Sequence, residues 1–328
     1  MSTFPNGMNI IDLHCDTILS CFMGKKNFRE LEGHINLDKL KAGGCLAQCF
    51  ALFIPSNELA VRQFGHEVDT WDLYNQLLAI YKDAIADASD VLRPALSCSD
   101  IIENSKNGYM SSILTIEDAV ELEGKMERLE QVYKDGVRMI ALTWNFENSV
   151  GFPNSRDPEK HLKLGLKPFG IEVVQRMNEL GMIVDVSHLS EAGFYDIVKY
   201  TKKPFVASHS CCRALRDHSR NLTDDQLKAL ADKGGVVGIN FCDDFLNDRG
   251  EHYSTIDDVV RHILHIRDKA GVDSIAIGSD FDGIGSKLEF KDYSGLPLIL
   301  NALEPHFTAD ELEKICHDNF LRVFADQA

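Results

Sequence analysis

Eight short apolar segments alternate along this chain with amphipathic stretches, and no other feature limits its possible folds as strongly. The segments are rich in Val, Ile, Leu and Ala, which is typical of parallel strands buried on both faces of a sheet. They cover residues 9–14, 45–53, 111–117, 137–144, 182–188, 204–209, 236–241 and 274–280. The pattern predicts an α/β fold built from eight strand and helix units.

The stretches between the strands have the apolar spacing of helices. They cover residues 59–88 (one long helix or a helix pair), 121–134, 170–180, 190–200, 223–233, 255–270 and 308–325. Ser190, Thr223 and Thr308 are suited to cap helix starts, and glycines such as Gly136 and Gly181 follow helix ends.

Eight alternations favour a (β/α)8 barrel, the TIM barrel, over an open doubly wound sheet. An open sheet of that kind usually carries a glycine-rich phosphate loop after its first strand. Here the first strand instead ends in His14-Cys15-Asp16. We find no linker, repeat or low-complexity block, so we expect one domain over residues 1–328.

The charge of the chain excludes some classes of partner. There are 51 Asp and Glu against 34 Lys and Arg, so the net charge is −17. This balance argues against binding to nucleic acid or to an anionic membrane surface. No segment reaches the roughly 18 apolar residues of a membrane span, and residues 1–8 do not resemble a signal peptide. We therefore expect a soluble, cytoplasmic protein.

Polar side chains stand where the predicted strands end. They are His14, Asp16, Glu117, His188, His209 and Asp280. Neutral imidazoles and carboxylates are the ligands that zinc-like divalent ions take. Because a parallel barrel gathers its strand ends at one rim, residues far apart in the sequence can share one pocket there.

The spacing of these residues indicates how they could divide between two ions. His14 and Asp16 are two residues apart, so both can point to one side of a strand; alternatively, they are a structural histidine and a helix-capping acid. Glu117 has two oxygens and could bridge two ions about 3.5–4 Å apart, or it could cap the next helix. His188 and His209 lie 21 residues apart, about one strand and helix unit, which suits a second ion.

Two further residues have candidate roles in chemistry. Asp280 could take a proton from a metal-bound water and return it to a leaving amine, whereas Asp282 is better suited to a turn with Gly283. Arg220 could hold a substrate carboxylate through two hydrogen bonds. From the residues alone, a surface ion pair from Arg220 to Asp224 or Asp225 is favoured, and Arg213 and Arg216 are competing candidates.

The nine cysteines and the remaining histidines offer weaker alternatives. An odd number of cysteines without a Cys-x-x-Cys pair indicates reduced, buried thiols. Cys15, Cys211 or Cys212 could act as a nucleophile with a nearby histidine. His262 and His265 have helical spacing, and we assign them no role.

These motifs, taken together and in this order, resemble the membrane dipeptidase (renal dipeptidase) family, peptidase family M19, of the metal-dependent amidohydrolase superfamily. The resemblance covers nearly the whole chain. It rests on Asp12-Leu-His14-Cys-Asp16, Asn36 to Gly44, Gln48, Asp185-Val-Ser-His188, Ser208-His209-Ser210, Arg220-Asn221, Gly278-Ser-Asp280-Phe-Asp-Gly283 and Asn319 to Phe324.

The resemblance implies a (β/α)8 barrel with two Zn²⁺ per chain that hydrolyses dipeptides by a bridging hydroxide, often with tolerance for a D-residue at the C-terminal position. It implies that His14 and Asp16 bind one ion and that His188 and His209 bind the other. Glu117 bridges both ions, Asp280 handles the proton, and Arg220 receives the C-terminal carboxylate of the dipeptide. Family members are often homodimers, so we expect the same state here.

The chain departs from the family pattern at two positions and in its context. Trp144 stands where mammalian members carry a histidine that helps to polarise the scissile carbonyl, and Asn145 could supply a neutral donor instead. Cys242 stands where some relatives have a tyrosine near the substrate. The lipid-anchored context of mammalian members does not transfer to this sequence.

Three alternatives stay open at this point. One is a related amidohydrolase that acts on N-acyl amino acids, cyclic amides or lactones with the same ligands. Another is a non-catalytic barrel that binds peptides. A third is a metal-free barrel enzyme that uses a cysteine, which chelator resistance and sensitivity to thiol alkylation would identify.

Overall fold

The computed structural model describes residues 10–327, apart from the side chains of residues 63 and 64. Residue 9, where we predicted the first strand to begin, and the N-terminal segment lie outside the described residues. Within residues 10–327, no helix has both the length and the apolar character needed to cross a membrane.

Eight parallel strands form a closed barrel. They are β1 (Ile10–Cys15), β2 (Cys45–Phe53), β4 (Met110–Glu117), β5 (Val137–Ala141), β6 (Ile183–Asp185), β7 (Val206–Ser210), β8 (Val236–Ile239) and β10 (Ile275–Ile277). Each pairs with its neighbours in the order β2-β1-β10-β8-β7-β6-β5-β4, and pairing of β2 with β4 closes the ring. The predicted TIM barrel is confirmed.

Within residues 10–327, three short strands that were not predicted from the sequence lie outside the barrel. Strand β3 (Leu92–Pro94) pairs with the start of β4, below the point where β5 begins to pair. Strands β9 (Tyr253–Ser254) and β11 (Lys287–Leu288) form a two-stranded sheet in the segments that follow β8 and β10. At two or three residues each, they are too short to show an apolar period in the sequence.

The helices follow the strands as expected for this fold. They are α1 (Thr17–Gly24), α2 (Leu37–Ala42), α3 (Asn57–Phe64), α4 (Thr70–Asp87), α5 (Cys98–Lys106), α6 (Met126–Lys134), α7 (Pro158–His161), α8 (Pro168–Leu180), α9 (Glu191–Tyr200), α10 (Asp224–Asp232), α11 (Asp243–Leu246), α12 (Ile256–Ala270), α13 (Leu296–Leu303), α14 (Ala309–Glu313) and α15 (Asn319–Ala325). Short 3₁₀ turns cover Ala119–Leu122, Val272–Ser274 and Tyr293–Gly295, and a π-helical turn covers Lys314–Asp318.

Most helix predictions hold, and two need correction. The side chains of Ser190, Thr223 and Thr308 accept hydrogen bonds from backbone N–H groups in the first turns of α9, α10 and α14. The predicted helix over 121–134 is wrong at its start, because Glu123 and Gly124 adopt left-handed φ angles of 46° and 73°. The predicted helix over 308–325 is interrupted by the π-helical turn between α14 and α15.

The interior of the barrel is filled by side chains. One cluster of buried apolar residues includes at least one residue from each of the eight barrel strands, together with Phe320 and Phe324 of α15. A larger cluster joins the strands to the surrounding helices. Such filling leaves functional groups to the C-terminal ends of the strands, where a parallel barrel presents them.

Two glycines allow three strands to approach closely beneath the rim. A Cβ atom on Gly238 or on Gly278 would lie 2.0 Å or 1.8 Å from the backbone oxygen of Ser208. Contacts this short are excluded for any other residue, so glycine is needed at position 238 in β8 and at position 278, directly after β10. The close approach brings Ser208 of β7, and the histidine after it, against the neighbouring strands.

Candidate active site

The predicted metal and proton-transfer residues meet at the C-terminal ends of the barrel strands. His14, Glu117 and His209 lie within β1, β4 and β7, whereas Asp16, His188 and Asp280 lie one to three residues beyond β1, β6 and β10. His188 and Asp280 have φ angles of 69° and 62°. This left-handed conformation is uncommon outside glycine and clusters at functional sites.

Glu117 lies between two groups of candidate ligands. Its Oε2 is 3.7 Å from Nε2 of His14, and its Oε1 is 3.0 Å from Nε2 of His188 and 3.4 Å from Nε2 of His209. Nε2 of His14 also lies 3.4 Å from Asp16 Oδ2. The two oxygens of one carboxylate therefore face two separate sets of donors.

The donor atoms of this cluster lack protein partners that could satisfy them. Nε2 of His14 and Oδ1 of Asp16 are buried without a hydrogen bond. Nε2 of His188 and Nε2 of His209 face each other at 3.0 Å, although both rings are bound through Nδ1 to other groups. Nε2 of His188, Nε2 of His209 and Oε1 of Glu117 lie within 3.4 Å of one another, which fits a bound cation. Imidazole with carboxylate is a donor set typical of zinc.

The electrostatics of the first donor set also favour positive charge. Burial lowers the pKa of the His14 imidazole, but the neighbouring Glu117 and Asp16 outweigh burial and raise this pKa to about 10. Burial, followed by the charge of Asp16, raises the pKa of Glu117 well above its ordinary value. Buried carboxylates this close together need a compensating cation to stay ionised.

The pKa values of the other residues of the cluster shift in directions that suit their positions. Burial, with the charges of Arg220 and His14, lowers the pKa of both His188 and His209 well below the ordinary value. Both imidazoles are therefore uncharged and can offer a lone pair to a metal ion. Burial raises the pKa of Asp280 to about 7, against the opposing effect of His14. A carboxyl group with a pKa near neutrality is suited to exchange a proton.

A series of hydrogen bonds behind His209 fixes the orientation of its ring. No role for these residues was predicted from the sequence. His209 Nδ1 lies 2.8 Å from the Ser208 hydroxyl, which donates to a carboxylate oxygen of Asp185. The other oxygen of Asp185 accepts from the backbone N–H groups of Ser187 and Ser208, both at 2.9 Å. Because the serine hydroxyl donates to Asp185, it accepts from Nδ1–H, and Nε2 is left as a lone pair.

A second serine and aspartate pair joins β1 to the segment after β10, without contact to the side chain of a candidate ligand. Ser279 donates to Asp12 through its backbone N–H at 2.8 Å and through its hydroxyl at 2.6 Å. Asn240 donates from Nδ2 to Asp280 Oδ2 at 2.7 Å. Asp12, Asp185, Ser208 and Ser279 all lie one to three residues before a candidate ligand or Asp280, and that spacing could have identified them.

Asn145 lies beside His188 with its amide orientation set by two neighbours. Its Oδ1 is 3.1 Å from His188 Nδ1 and accepts from Asn154 Nδ2 at 3.3 Å. An amide oxygen only accepts, so His188 Nδ1 carries the proton. This arrangement leaves Nδ2 of Asn145 as an available hydrogen-bond donor. Asn148 Nδ2 donates to Asp118 Oδ1 and to the Leu142 carbonyl, both at 2.8 Å, and so ties the segment after β5 to the end of β4.

A cavity of about 310 Å³ opens directly above the cluster. This volume suits a small ligand. Trp144 forms part of its wall, with its ring 5.0 Å from that of Phe53 and 6.0 Å from that of His188. The lining residues are Asp16, Leu19, Phe53, Glu117, Trp144, Asn145, His188, Cys242, Phe245, Asp280, Asp282, Gly283, Ile284 and Gly285.

Arg220 lies next to the cluster, with its guanidinium carbon 5.3 Å from the ring centroid of Phe245, which lines the cavity. It is only 5 % exposed, and its Nη atoms donate to the His209 carbonyl at 3.1 Å and the Ser210 hydroxyl at 3.4 Å. Its Nε is buried without a partner. The predicted surface ion pair to Asp224 or Asp225 is wrong, because Arg220 is buried, Asp224 binds His265 and Lys269, and Asp225 binds Lys228.

The remaining candidates have structural positions. All nine cysteines, which lie within the described residues, are free thiols, and burial raises the pKa of Cys15, Cys211 and Cys212, which opposes a nucleophilic role. His262 receives a hydrogen bond from the Cys212 backbone. The Asp282 side chain accepts from Thr17 at 2.7 Å and binds the segment at His34.

The comparison with protein families decides the identity of the chain. The family model for membrane dipeptidase (peptidase family M19) matches residues 3–328. The chain belongs to the membrane dipeptidase family. The resemblance predicted from the sequence is confirmed.

Curated relatives agree with this assignment. The chain is 38 % identical over 264 residues to an uncharacterized protein in the pqqA 5′ region of Klebsiella pneumoniae, covering 78 % of this chain and 96 % of the relative. It is 34 % identical to an uncharacterized dipeptidase, C965.12, of Schizosaccharomyces pombe, covering 90 % and 72 % of the two chains.

Solved structures agree with the fold. The dipeptidase AC, a metallopeptidase of family M19, superimposes with a TM-score of 0.88 at 25 % identity, covering 98 % of this chain and 99 % of the other. A metallopeptidase from Rhodobacter sphaeroides, solved with a phosphinate mimic of the dipeptide L-Ala-D-Ala, superimposes with a TM-score of 0.90 at 24 % identity, covering 98 % and 100 %. This member of the membrane dipeptidase family is a hydrolase of the metallo-dipeptidase type.

Proposed function

We propose that this protein hydrolyses dipeptides with two zinc ions held at the end of the barrel. One observation carries the proposal: the two oxygens of Glu117 face two donor sets, His14 on one side and His188 with His209 on the other. In this arrangement His14 and Asp16 would hold one ion, His188 and His209 would hold the second, and Glu117 would offer one carboxylate oxygen to each. Two bound zinc ions would supply Lewis acidity and a water of lowered pKa.

Asp280 is the proposed proton carrier. Its Oδ2 is held by Asn240 at 2.7 Å, so the carboxyl group keeps a constant orientation. Its other oxygen lies 3.9 Å from His14 Nε2, at the edge of the ligand cluster and facing the cavity. From there Asp280 takes a proton from the attacking water and returns it to the departing amine.

Three residues are proposed to position the substrate. Arg220 receives the C-terminal carboxylate, supported by its buried charge and its unpartnered Nε. Asn145 presents Nδ2 to the scissile carbonyl, in the role that a histidine has in mammalian members of the family. Trp144 forms the wall beside it and limits the side chains that fit.

Tolerance for a D-residue at the C-terminal position is part of the proposal. It is supported by the family resemblance and by the shared fold with the Rhodobacter sphaeroides protein, which was solved with a mimic of L-Ala-D-Ala. A cytoplasmic location and a homodimeric state remain predictions from the sequence.

The test combines metal analysis with a substrate panel. Purified protein is analysed for zinc, and L-L, L-D and C-terminally amidated dipeptides are assayed before and after chelation. We expect about two zinc ions per chain and chelator-sensitive cleavage of free-carboxylate dipeptides only. Arg220→Ala should raise KM for these dipeptides, and an equal effect on amidated substrates would contradict its assigned role.

Other outcomes of the panel would change the conclusion. Bound metal without cleavage of any dipeptide would move the function to N-acyl amino acids, cyclic amides or lactones. One ion per chain at saturating zinc would contradict the bridging role of Glu117. Activity that survives complete metal removal would overturn the proposed metal centre.

A further inference from the structure

A second cavity, of about 580 Å³, lies beside the active site at the same end of the barrel. It is formed by the segment between β5 and α8 and by the loop after β7. The lining residues are Ser155, Arg156, Pro158, His161, Leu162, Arg213, Arg216, Asp217, His218 and Ser219. None of them lines the cavity above the ligand cluster, and the proposed reaction uses none of them.

The wall between the two cavities is built from both loops. The ring of His218 packs 4.9 Å from the ring of Phe245, which lines the active-site cavity. The Ser219 hydroxyl donates to Asn154 Oδ1 at 2.8 Å, and Asn154 in turn donates to Asn145. The second cavity is therefore adjacent to the active-site cavity and separated from it by these side chains.

The charge of the second cavity is opposite to that of the chain. It has three arginines against one carboxylate, Asp217, in a chain whose net charge is −17. Arg213 is already bound, since it donates to Glu191 at 2.8 Å and to the Asn221 carbonyl at 3.0 Å. It serves as part of the wall.

Two guanidinium groups remain for a ligand. Among residues 10–327, no carboxylate oxygen lies within 4.0 Å of the guanidinium nitrogens of Arg156 or Arg216, although acidic residues outnumber basic ones by 51 to 34. Arg216 uses Nε to bind the Asp244 carbonyl at 3.1 Å, which leaves its two Nη groups. Other arginines of the chain, such as Arg29 and Arg176, have carboxylate partners.

His218 adds a neutral donor to the same cavity. Its Nδ1 accepts from the backbone N–H of Arg220 at 3.1 Å, so its Nε2 carries the proton. Burial and the charges of Arg220, Arg156 and Arg216 lower its pKa to about 4. The imidazole is thus uncharged at neutral pH and lines the same cavity as Arg156 and Arg216.

We propose that this cavity binds a small oxyanion, a carboxylate or a phosphate, between the guanidinium groups of Arg156 and Arg216 and the Nε2–H of His218. Planar guanidinium groups bind such anions through paired, charge-assisted hydrogen bonds. The anion is either an acidic group of a substrate that extends from the active site or free inorganic phosphate. Binding of the anion does not depend on the dipeptidase reaction, whereas its identification as a substrate group rests on the proposed function.

The test measures binding of inorganic phosphate by calorimetry to the zinc-loaded protein at constant ionic strength. We expect the double variant Arg156→Gln/Arg216→Gln to bind phosphate about tenfold more weakly, or not at all, because it lacks both charged donors. Arg62→Gln is the matched control, since Arg62 is exposed and paired with Glu58 away from the cavity. Phosphate bound at the zinc ions is common to all three proteins, so a difference between them reports the second cavity.

Equal phosphate affinity and stoichiometry in the wild type and the double variant would overturn the proposal. Circular dichroism and the melting temperature show whether the variant is folded, and Arg216→Gln alone serves if it is not. Kinetics then identify the source of the anion. A KM that rises in the double variant for dipeptides with acidic side chains, and not for neutral ones, identifies a substrate group. An unchanged KM for both identifies free phosphate.

Discussion

Replacement of Ser208 by alanine should selectively weaken the binding of one of the two proposed zinc ions. Ser208 does not belong to the ligand cluster, but its hydroxyl accepts from Nδ1 of His209 and donates to Asp185. In Ser208→Ala, the His209 Nδ1–H has no acceptor at this position. Asp185 keeps the backbone N–H groups of Ser187 and Ser208, so its carboxylate is still bound.

The magnitude follows from the lost hydrogen bond. A buried donor without an acceptor costs about 1–3 kcal/mol, and each 1.36 kcal/mol corresponds to about tenfold in an equilibrium constant. The ion held by His188 and His209 should therefore bind roughly 5- to 150-fold more weakly, in line with the 10- to 100-fold typical when such supporting residues are removed. The ion held by His14 and Asp16 should change much less, because Ser208 does not contact its ligands.

Competition for zinc with a fluorescent chelator measures the two affinities. Ser279→Ala is the matched control, because Ser279 is also fully buried and donates to an aspartate, Asp12, but its hydroxyl does not contact the side chain of a ligand. We expect one weakened ion in Ser208→Ala and two ions of nearly wild-type affinity in Ser279→Ala. If Ser208→Ala binds both ions as tightly as the wild type, the assigned role of this serine is wrong.

Three further predictions concern the proton carrier, pH and metal removal. Asp280→Asn should keep both ions and lower kcat about 100- to 10,000-fold, measured by metal analysis and steady-state kinetics; unchanged turnover would exclude the role. Burial raises the pKa of Asp258, but hydrogen bonds from Arg249, Thr255 and Arg261 outweigh burial and lower it. Asp258 therefore stabilises the fold above a pH of about 4, and this contribution is lost as pH falls through the lowered pKa. Asp258→Asn should cost about 2 kcal/mol at pH 7 and less at pH 3, by chemical denaturation. Chelation should lower the melting temperature, and zinc should restore it; an unchanged melting temperature would contradict a metal-bound cluster.

Much of the fold could be predicted from the sequence, because strand and helix periods are local. All eight barrel strands were predicted, and so were the three helix caps. The errors occur where local signals are short or ambiguous. The strand predicted over 137–144 ends at Ala141, so Trp144 lies in a loop that Asn148 ties to Asp118, an interaction that no local pattern contains. The break before α6 arises from left-handed backbone at Glu123 and Gly124.

The candidate site, like the fold, could be predicted from the sequence only in part. Residue type and position at strand ends were enough to select His14, Asp16, Glu117, His188, His209 and Asp280, because a parallel barrel must bring strand ends to one rim. Distances between side chains of different strands decide which oxygen of Glu117 faces which histidine. They also decide that Nε2 of His188 and Nε2 of His209 face each other without a hydrogen-bond donor between them. The same holds for the Asp185 and Ser208 pair.

The sequence by itself determined the barrel, the family and the set of candidate ligands, since these follow from periodicity and from residue types at strand ends. Only the tertiary structure decided that Arg220 is buried beside the cluster instead of paired with Asp224 or Asp225 at the surface. It also decided that Arg156 and Arg216 share a cavity without a carboxylate partner, although they are 60 residues apart in the chain. The physical reason is that ion pairing and burial are set by neighbours across strands and loops, whose distances no local segment of sequence specifies.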